Sequence, residues 1–261
     1  MKLLMRLKLP ELIVYRQIKL YLVCLFLLTF DSSSGQTADE IIKRYFEVSS
    51  QGDLAQWSKI KTLYATCIGY YSEASFETQK DTFDSANLSY IKVYKRWPNE
   101  QKEELFSDSL FRKRTSSFYY LKNRRVIRFE YMDPIEVDPD EKTTFDFYPT
   151  RINNYLLRSK SINYNGIKTI PGKPTSYYEI EIKTPDFDHV FLFNIESYLL
   201  EAIYFPEPNI YWLISDYKLF DGYLLPTYIA SMRNGVIFDW RRYKTFVFNP
   251  KFREDLFNPD H

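Results

Sequence analysis

The chain has 261 residues, with 35 Lys+Arg against 34 Asp+Glu, 2 His, 2 Cys and 7 Gly. The glycines are scattered, at positions 35, 52, 69, 166, 172, 222 and 235. Neither a GxGxxG dinucleotide loop nor a P-loop can be built from them, since both need clustered glycines to bring backbone N–H groups close to phosphates. His189 and His261 alone leave zinc sites of the usual His/Cys kinds short of ligands, and no metal or cofactor is expected.

Lys2, Arg6, Lys8, Arg16 and Lys19 form a basic leader ahead of an 11-residue apolar run, Leu20 to Phe30. That length suits a signal-peptide h-region and falls short of the ~20 residues of a membrane span. Small residues at 33 and 35 suit cleavage after Gly35. Residues 1–35 are therefore expected to be a cleavable signal peptide, with export to the periplasm; the long leader keeps an uncleaved anchor as the alternative. Cys24 follows Val23 and is read as part of the apolar run, not as a lipidated cysteine. The remaining 226 residues hold 30 basic and 32 acidic side chains, so no basic footprint for nucleic acid exists. Cys67 is left alone among Ala65, Thr66 and Ile68, which predicts a small core residue and no internal disulfide. Without linker, low-complexity tract or repeat, 36–261 reads as a single domain.

In chain order, Thr37 and Glu40 have capping-box spacing, and Ile41, Ile42, Tyr45, Phe46 and Val48 form one apolar helical face. Gly52 is a natural stop, followed by a short turn from Leu54 to Ser58 carrying Trp57. Strands are expected over Lys61–Tyr71 and Leu88–Trp97, and a strand pair over Ser117–Leu121 and Val126–Met132. The charged stretch Pro98–Arg114 reads either as a long loop or as a polar helix. Asp138–Glu141 reads as an exposed turn and Phe145–Ser159 as a second helix. Asn165-Gly166, Asp221-Gly222 and Asn234-Gly235 each sit between β-prone runs and predict type I′ hairpins, because both turn residues need positive φ. Consecutive hairpins make an antiparallel meander.

Tyr178-Glu179-Ile180-Glu181-Ile182 alternates as a sheet with one wet face should. Val190-Phe191-Leu192-Phe193, Tyr198-Leu199-Leu200 with Ala202-Ile203-Tyr204-Phe205, Ile210-Tyr211-Trp212-Leu213-Ile214 and Tyr223-Leu224-Leu225 are apolar on both faces. Of the 48 aromatic residues, 44 lie beyond residue 35, so both faces of roughly nine or ten strands need cover from two or three short helices. Curling the sheet around those helices reduces the area to be covered and leaves an apolar hollow. The fold expected is α+β: an incomplete, half-closed antiparallel β-barrel with a few helices packed in its concave mouth. Whether helices fill the hollow or leave a ligand cavity stays open at this point.

Ser215-Asp216-Tyr217-Lys218-Leu219-Phe220-Asp221-Gly222-Tyr223-Leu224-Leu225-Pro226 resembles the D-Y-x-x-x-D-G-x-x-x-P hairpin of the periplasmic lipoprotein-carrier (LolA/LolB-like) superfamily. Phe248-Asn249-Pro250 and Leu256-Phe257-Asn258-Pro259 resemble the N-P and L-F-x-P endings of its Bacteroidetes-type members. The resemblance implies a helix-plugged open barrel that binds lipid or lipoprotein acyl chains, without catalysis, in outer-membrane biogenesis and transport. Helices at Ile41–Val48 and Phe145–Leu157 would act as a lid. The candidate cavity lining is Ile41, Tyr45, Trp57, Tyr94, Phe129, Phe191, Phe193, Tyr204 and Trp212. Lipid or lipoprotein acyl chains are the expected ligands, with an envelope protein or the membrane periphery as further partners and no nucleic acid. Two other readings remain: a filled-core interaction module of the cell envelope, and a hydrolase using Asp186, Asp188 and Glu196 near His189.

Overall fold

The computed structural model describes residues 36–50, 52, 56–71, 88–97, 100–121, 124–129, 132–137, 160–170, 174–183, 188–207 and 209–260. The expected signal segment 1–35, the turn expected at Asp138–Glu141 and the helix expected at Phe145–Ser159 fall outside the described residues. Two helices come first, α1 (Ala38–Ser49) and the single turn α2 (Gln56–Lys59). Thirteen strands follow among the described residues. The first group is β1 (Thr62–Tyr71), β2 (Leu88–Arg96), β3 (Glu100–Phe106), β4 (Arg114–Leu121), β5 (Arg124–Phe129) and β6 (Ile135–Val137). The second group begins with β7 (Ser161–Thr169), β8 (Ser176–Lys183), β9 (Asp188–Asn194) and β10 (Leu200–Phe205). It continues through β11 (Ile210–Phe220), β12 (Tyr223–Arg233) and β13 (Val236–Phe248), after which a 3-10 turn spans Glu254–Phe257.

All strands form one open antiparallel sheet in the order β6-β5-β4-β3-β2-β1-β13-β12-β11-β10-β9-β8-β7. Every neighbouring pair is a sequence-adjacent hairpin except one. β1 pairs with β13, which joins the outgoing meander to the returning one. The junction is reinforced at its end, where Asn249 N–H donates to the Thr62 carbonyl (2.9 Å) and Lys61 N–H donates to Asn249 Oδ1 (2.7 Å). Thr62 Oγ1 donates to the Pro250 carbonyl (2.8 Å), so the terminal Asn-Pro of the sequence motif works as a strand clamp.

α1 packs on one side of the sheet, called here the inner face. Ile41, Ile42, Tyr45 and Phe46 are buried there, as the i, i+3, i+4 spacing dictates. Gly52 takes φ +90 just past the helix, and its N–H caps the Glu47 carbonyl (2.6 Å). β9 shows why its sequence is apolar throughout: Phe191 and Phe193 join the inner core, while Val190 and Leu192 point the other way. There they meet Ile170, Tyr177 and Ala202 in a second, outer cluster, partly screened by Tyr204, Tyr211 and Leu213.

Three expectations are corrected. The sheet is wider than nine or ten strands, and its described helical cover is α1 with the one-turn α2, not several helices. Residues 98–114 hold strand β3, neither long loop nor helix, because Glu100–Phe106 pairs on both sides with β2 and β4. Asn165-Gly166 makes no hairpin; β7 runs through it, with Asn165 and Gly166 (φ +93) forming a bulge between the Tyr164 and Ile167 pairs with β8. By contrast, Asp221-Gly222 (φ +46, +86) and Asn234-Gly235 (φ +50, +81) are the expected two-residue turns, closing the Phe220–Tyr223 and Arg233–Val236 pairs.

The Asn234-Gly235 turn has open space around Gly235, so only its backbone conformation restricts it. Gly235→Val is expected to lower stability by roughly 1–2 kcal/mol through the left-handed φ alone. Urea unfolding with an unchanged m-value would register this as a lower midpoint.

Candidate functional site

Strand alternation decides which candidate residues meet. Ile41, Tyr45, Trp57, Phe191 and Phe193 come together in the inner core, and Trp212 packs against its edge. The Tyr45 ring sits edge-on against Phe193 (centroids 5.4 Å), and Trp57 lies on Tyr223 (4.7 Å), which in turn meets Phe248 (4.6 Å). Burial pushes the Tyr45 hydroxyl far above its ordinary pKa, and Tyr217 likewise, whose hydroxyl donates to the Leu200 carbonyl (2.5 Å). Tyr217 is the tyrosine of the D-Y hairpin motif, and it fixes β11 against β10 under the helix.

Three candidates lie elsewhere. Tyr204 stacks on Tyr211 (4.5 Å) over the outer cluster, one residue out of phase with Ile203. Tyr94 is on the outer face of β2, against Tyr64 (5.3 Å) and Glu104. Phe129, 39% exposed, sits at the end of β5 and is not part of the inner core.

The inner core contains two buried indole donors. Trp57 is 3% exposed, and neither its Nε1–H nor that of Trp97 at the core's edge has an acceptor among the described residues. A buried N–H without acceptor costs about 1–3 kcal/mol, which a polar atom of a ligand would recover.

Toward β3 the same face turns polar, a feature the sequence reading missed. Arg241 Nη1 on β13 donates to Glu103 Oε1 on β3 (2.9 Å), and Gln101 Nε2 donates to the same oxygen (2.9 Å). Glu103 is 2% exposed, and Lys95, Ser116 and Ser231 are buried on neighbouring strands. The arginine crosses β1 at Gly69, where even a Cβ would come within 2.8 Å of Ile91 Cδ1 and 3.7 Å of Arg241 Cγ. Burial alone would lower the Arg241 pKa, but the Glu103 carboxylate raises it further, so the guanidinium stays charged. Nearby, burial pushes the Asp239 carboxyl up against the pull of Arg241 and the Ser231 hydroxyl (3.2 Å). Burial also pushes the Cys67 thiol up to about 12, which keeps it protonated and unreactive.

The described hydrolase candidates, Asp188, His189 and Glu196, do not converge. His189 is buried edge-on to Phe205 (4.7 Å) in the inner aromatic layer, whereas Asp188 is exposed. Glu196 lies in the β9–β10 turn, its N–H donating to Asn194 Oδ1 (2.8 Å). Asp186 is outside the described residues. Among the described residues no three His, Cys, Asp or Glu side chains could hold a metal ion, and no helix is long and apolar enough to cross a membrane.

An open antiparallel sheet with an amphipathic helix on its inner face defines a class of helix-plugged open barrels. The chain has the LolA-type version of that fold. A LolA superfamily protein from Nitrosomonas europaea matches with TM-score 0.53 at 12% identity, over 87% of this chain and 99% of that one. A DUF1329 family protein from Desulfovibrio piger gives TM-score 0.55 at 10% identity, over 84% and 98%. A domain from Vibrio parahaemolyticus named for outer membrane lipoprotein sorting gives 0.52 at 10%, again over 84% and 98%. No protein-family model and no curated protein matches the sequence.

Two measurements test the polar half. Glu103→Gln removes the carboxylate beneath Arg241 and is expected to cost about 3–5 kcal/mol, while replacing both residues with Met costs less. A double-mutant cycle in urea reads the difference. For Asp239 the folded pKa lies above the unfolded value of ~3.9. Its contribution is therefore fully present below about pH 4 and is lost as pH rises through the folded pKa. Asp239→Asn is expected to flatten that decline in unfolding midpoint as pH rises above about 4.

Proposed function

We propose that the chain is a non-catalytic protein of the bacterial cell envelope that binds or carries lipid or acylated ligands between its inner sheet face and α1. Export to the periplasm by residues 1–35 belongs to the same reading. The observation that carries it is the breadth of the apolar inner face, which extends over β1, β2 and β8–β13 beneath an amphipathic three-turn helix. The likeness in fold to the lipoprotein-sorting domain and the LolA superfamily protein supports it.

Magnitudes favour an exchange of helix for ligand. Lifting α1 re-exposes Ile41, Ile42, Tyr45 and Phe46, at about 1.5–3 kcal/mol each, or about 6–12 kcal/mol together. An acyl chain regains ~0.8 kcal/mol per buried CH₂, so ~14 methylenes return about 11 kcal/mol. One chain balances the helix, and a ligand with two or three chains displaces it. Ester or amide carbonyls of such a ligand are acceptors for the Trp57 and Trp97 indoles, and the Arg241–Glu103 cluster gives the site a polar end. Ile41, Tyr45, Trp57, Phe191, Phe193 and Trp212 are the residues assigned to the acyl site.

The filled-core interaction module is favoured by one observation, the direct packing of Tyr45 on Phe193 and Trp57 on Tyr223. Binding separates the two readings. The full chain, made in a periplasm and purified without detergent, is expected to take up a fluorescent fatty acid with a change in tryptophan emission. Tyr45→Ala is expected to lower stability by about 3–5 kcal/mol yet tighten uptake by about tenfold or more, since a weaker lid costs less to open. Phe193→Ala is expected to weaken both. A chain that takes up no probe, and whose native mass spectrum shows no ligand, is the filled-core module.

A further inference from the structure

A cavity lies on the outer face, away from α1. Its volume is about 320 Å³, at the lower end of small-molecule sites. Its floor is built from β2–β5 and its roof from the C-terminal segment, through Leu256 and Asn258. The roof is firmly held. Phe257 is buried against Phe252 (5.7 Å) with the Arg96 guanidinium over its ring (4.6 Å), and Arg128 Nη1 donates to the Pro259 carbonyl (3.2 Å). The Leu256-Phe257-Asn258-Pro259 segment therefore roofs one side of a polar cavity that stays partly open to solvent.

The floor is unusual for a sheet surface. Lys102 and Glu104 side chains are only 9% and 12% exposed, and their ion pair is 3.0 Å. Glu104 Oε1 also takes Arg114 Nη1 (3.3 Å), while Oε2 accepts the Tyr94 hydroxyl (2.9 Å). One carboxylate thus serves two cations. Burial raises the Glu104 pKa, but Lys102, Tyr94 and Arg114 together bring it below the ordinary value, so it is ionised and fully engaged. Lys102 Nζ lies 5.2 Å over the ring of Tyr119, itself 3% exposed. Around the whole cavity four basic side chains face two carboxylates, Glu104 and Asp255, the latter already paired with Arg253 (3.3 Å).

The geometry points to a binding site for a phosphate monoester, held by the Lys102 ammonium, the Arg114 and Arg128 guanidiniums and the Tyr119 hydroxyl. Three considerations select that class. The formal excess of two positive charges in the lining matches a group carrying about −1.5 to −2 at neutral pH. Guanidiniums present planar forks suited to phosphate oxygens. A cationic cavity with a partly desolvated floor has no comparable use for a neutral or cationic guest. The site is independent of the acyl reading, and either can fail alone.

The test is isothermal titration of the full chain with glycerol 3-phosphate and inorganic phosphate at matched chloride, beside flotation with phosphatidylcholine vesicles containing phosphatidic acid. Saturable binding of the soluble phosphates identifies a free phosphate monoester as the ligand. Flotation that depends on phosphatidic acid, without soluble binding, identifies a lipid headgroup. Arg114→Gln, at a half-exposed position, is expected to weaken whichever binding occurs by about tenfold with an unchanged unfolding midpoint, and Arg112→Gln outside the cavity is expected to leave it unchanged. Lys102→Met is expected to abolish binding; if that variant does not fold, Arg114→Gln alone decides. Failure of every phosphate source to bind the folded wild-type chain, or equal binding by wild type and Arg114→Gln, overturns the proposal.

Discussion

Pairing of β1 with β13 is the constraint on which the rest of the structure depends. Thr66 and Thr245, 179 residues apart, face each other with hydroxyls at 2.7 Å. Every other strand pair is a local hairpin, so this contact alone turns two meanders into one sheet. It is entropically the most expensive contact in the fold, because the loop it closes contains nearly the whole domain. The Asn249 and Pro250 hydrogen bonds to Lys61 and Thr62 concentrate at its end for that reason. Such a topology orders late relative to its hairpins.

The same junction divides the inner face by chemistry. On the β8–β12 side the inward positions are mostly apolar and α1 lies across them. On the β2–β4 side the inward positions become Lys95, Gln101, Glu103 and Ser116. Arg241 bridges the two halves, since it stands on β13 and reaches β3 over the bare backbone of Gly69. An apolar floor with a charged end has a direction built into it. A solid core would gain more from apolar side chains at these positions, since a buried ion pair contributes little net stability.

Much of the architecture was legible in the sequence because the signals were local. Asp221-Gly222 and Asn234-Gly235 announce their turns, as few residue pairs tolerate two successive positive φ values. The same chemistry misled at Asn165-Gly166, where the pairs of Tyr164 with Ile180 and Ile167 with Tyr178 carry β7 straight through and the positive φ is absorbed as a bulge. Strand β3 was illegible for a different reason. Gln101 and Glu103 face inward and Lys102 and Glu104 outward, so neither alternation is apolar, and the partners that justify each charge come from other strands, β13 for Glu103 and β2 and β4 for Glu104. The acyl-site candidates split along the same line. Tyr45 and Phe193 were found by helix periodicity and by strand apolarity, whereas Tyr94 and Tyr204 lie on the outer face because a one-residue difference in phase exchanges the faces.

The motif residues that resemble the lipoprotein carriers turn out to be fasteners. Tyr217 ties β11 to β10, Asp221 and Gly222 make a turn, Asn249 and Pro250 hold β1, and Phe257 pins the C-terminal segment on the outer face. None of them faces the polar end of the inner site. A motif of fasteners preserves a scaffold while leaving its two surfaces free to differ, and both chemically distinctive features here lie between motif positions. The inner Arg241–Glu103 cluster and the outer Lys102–Glu104–Arg114 cluster share strand β3, with Glu103 and Glu104 as neighbours facing opposite ways. Strand alternation thus lets one short charged segment furnish a polar group to each face of the sheet at once, and this accounts for its departure from the apolar pattern of the strands beyond β13.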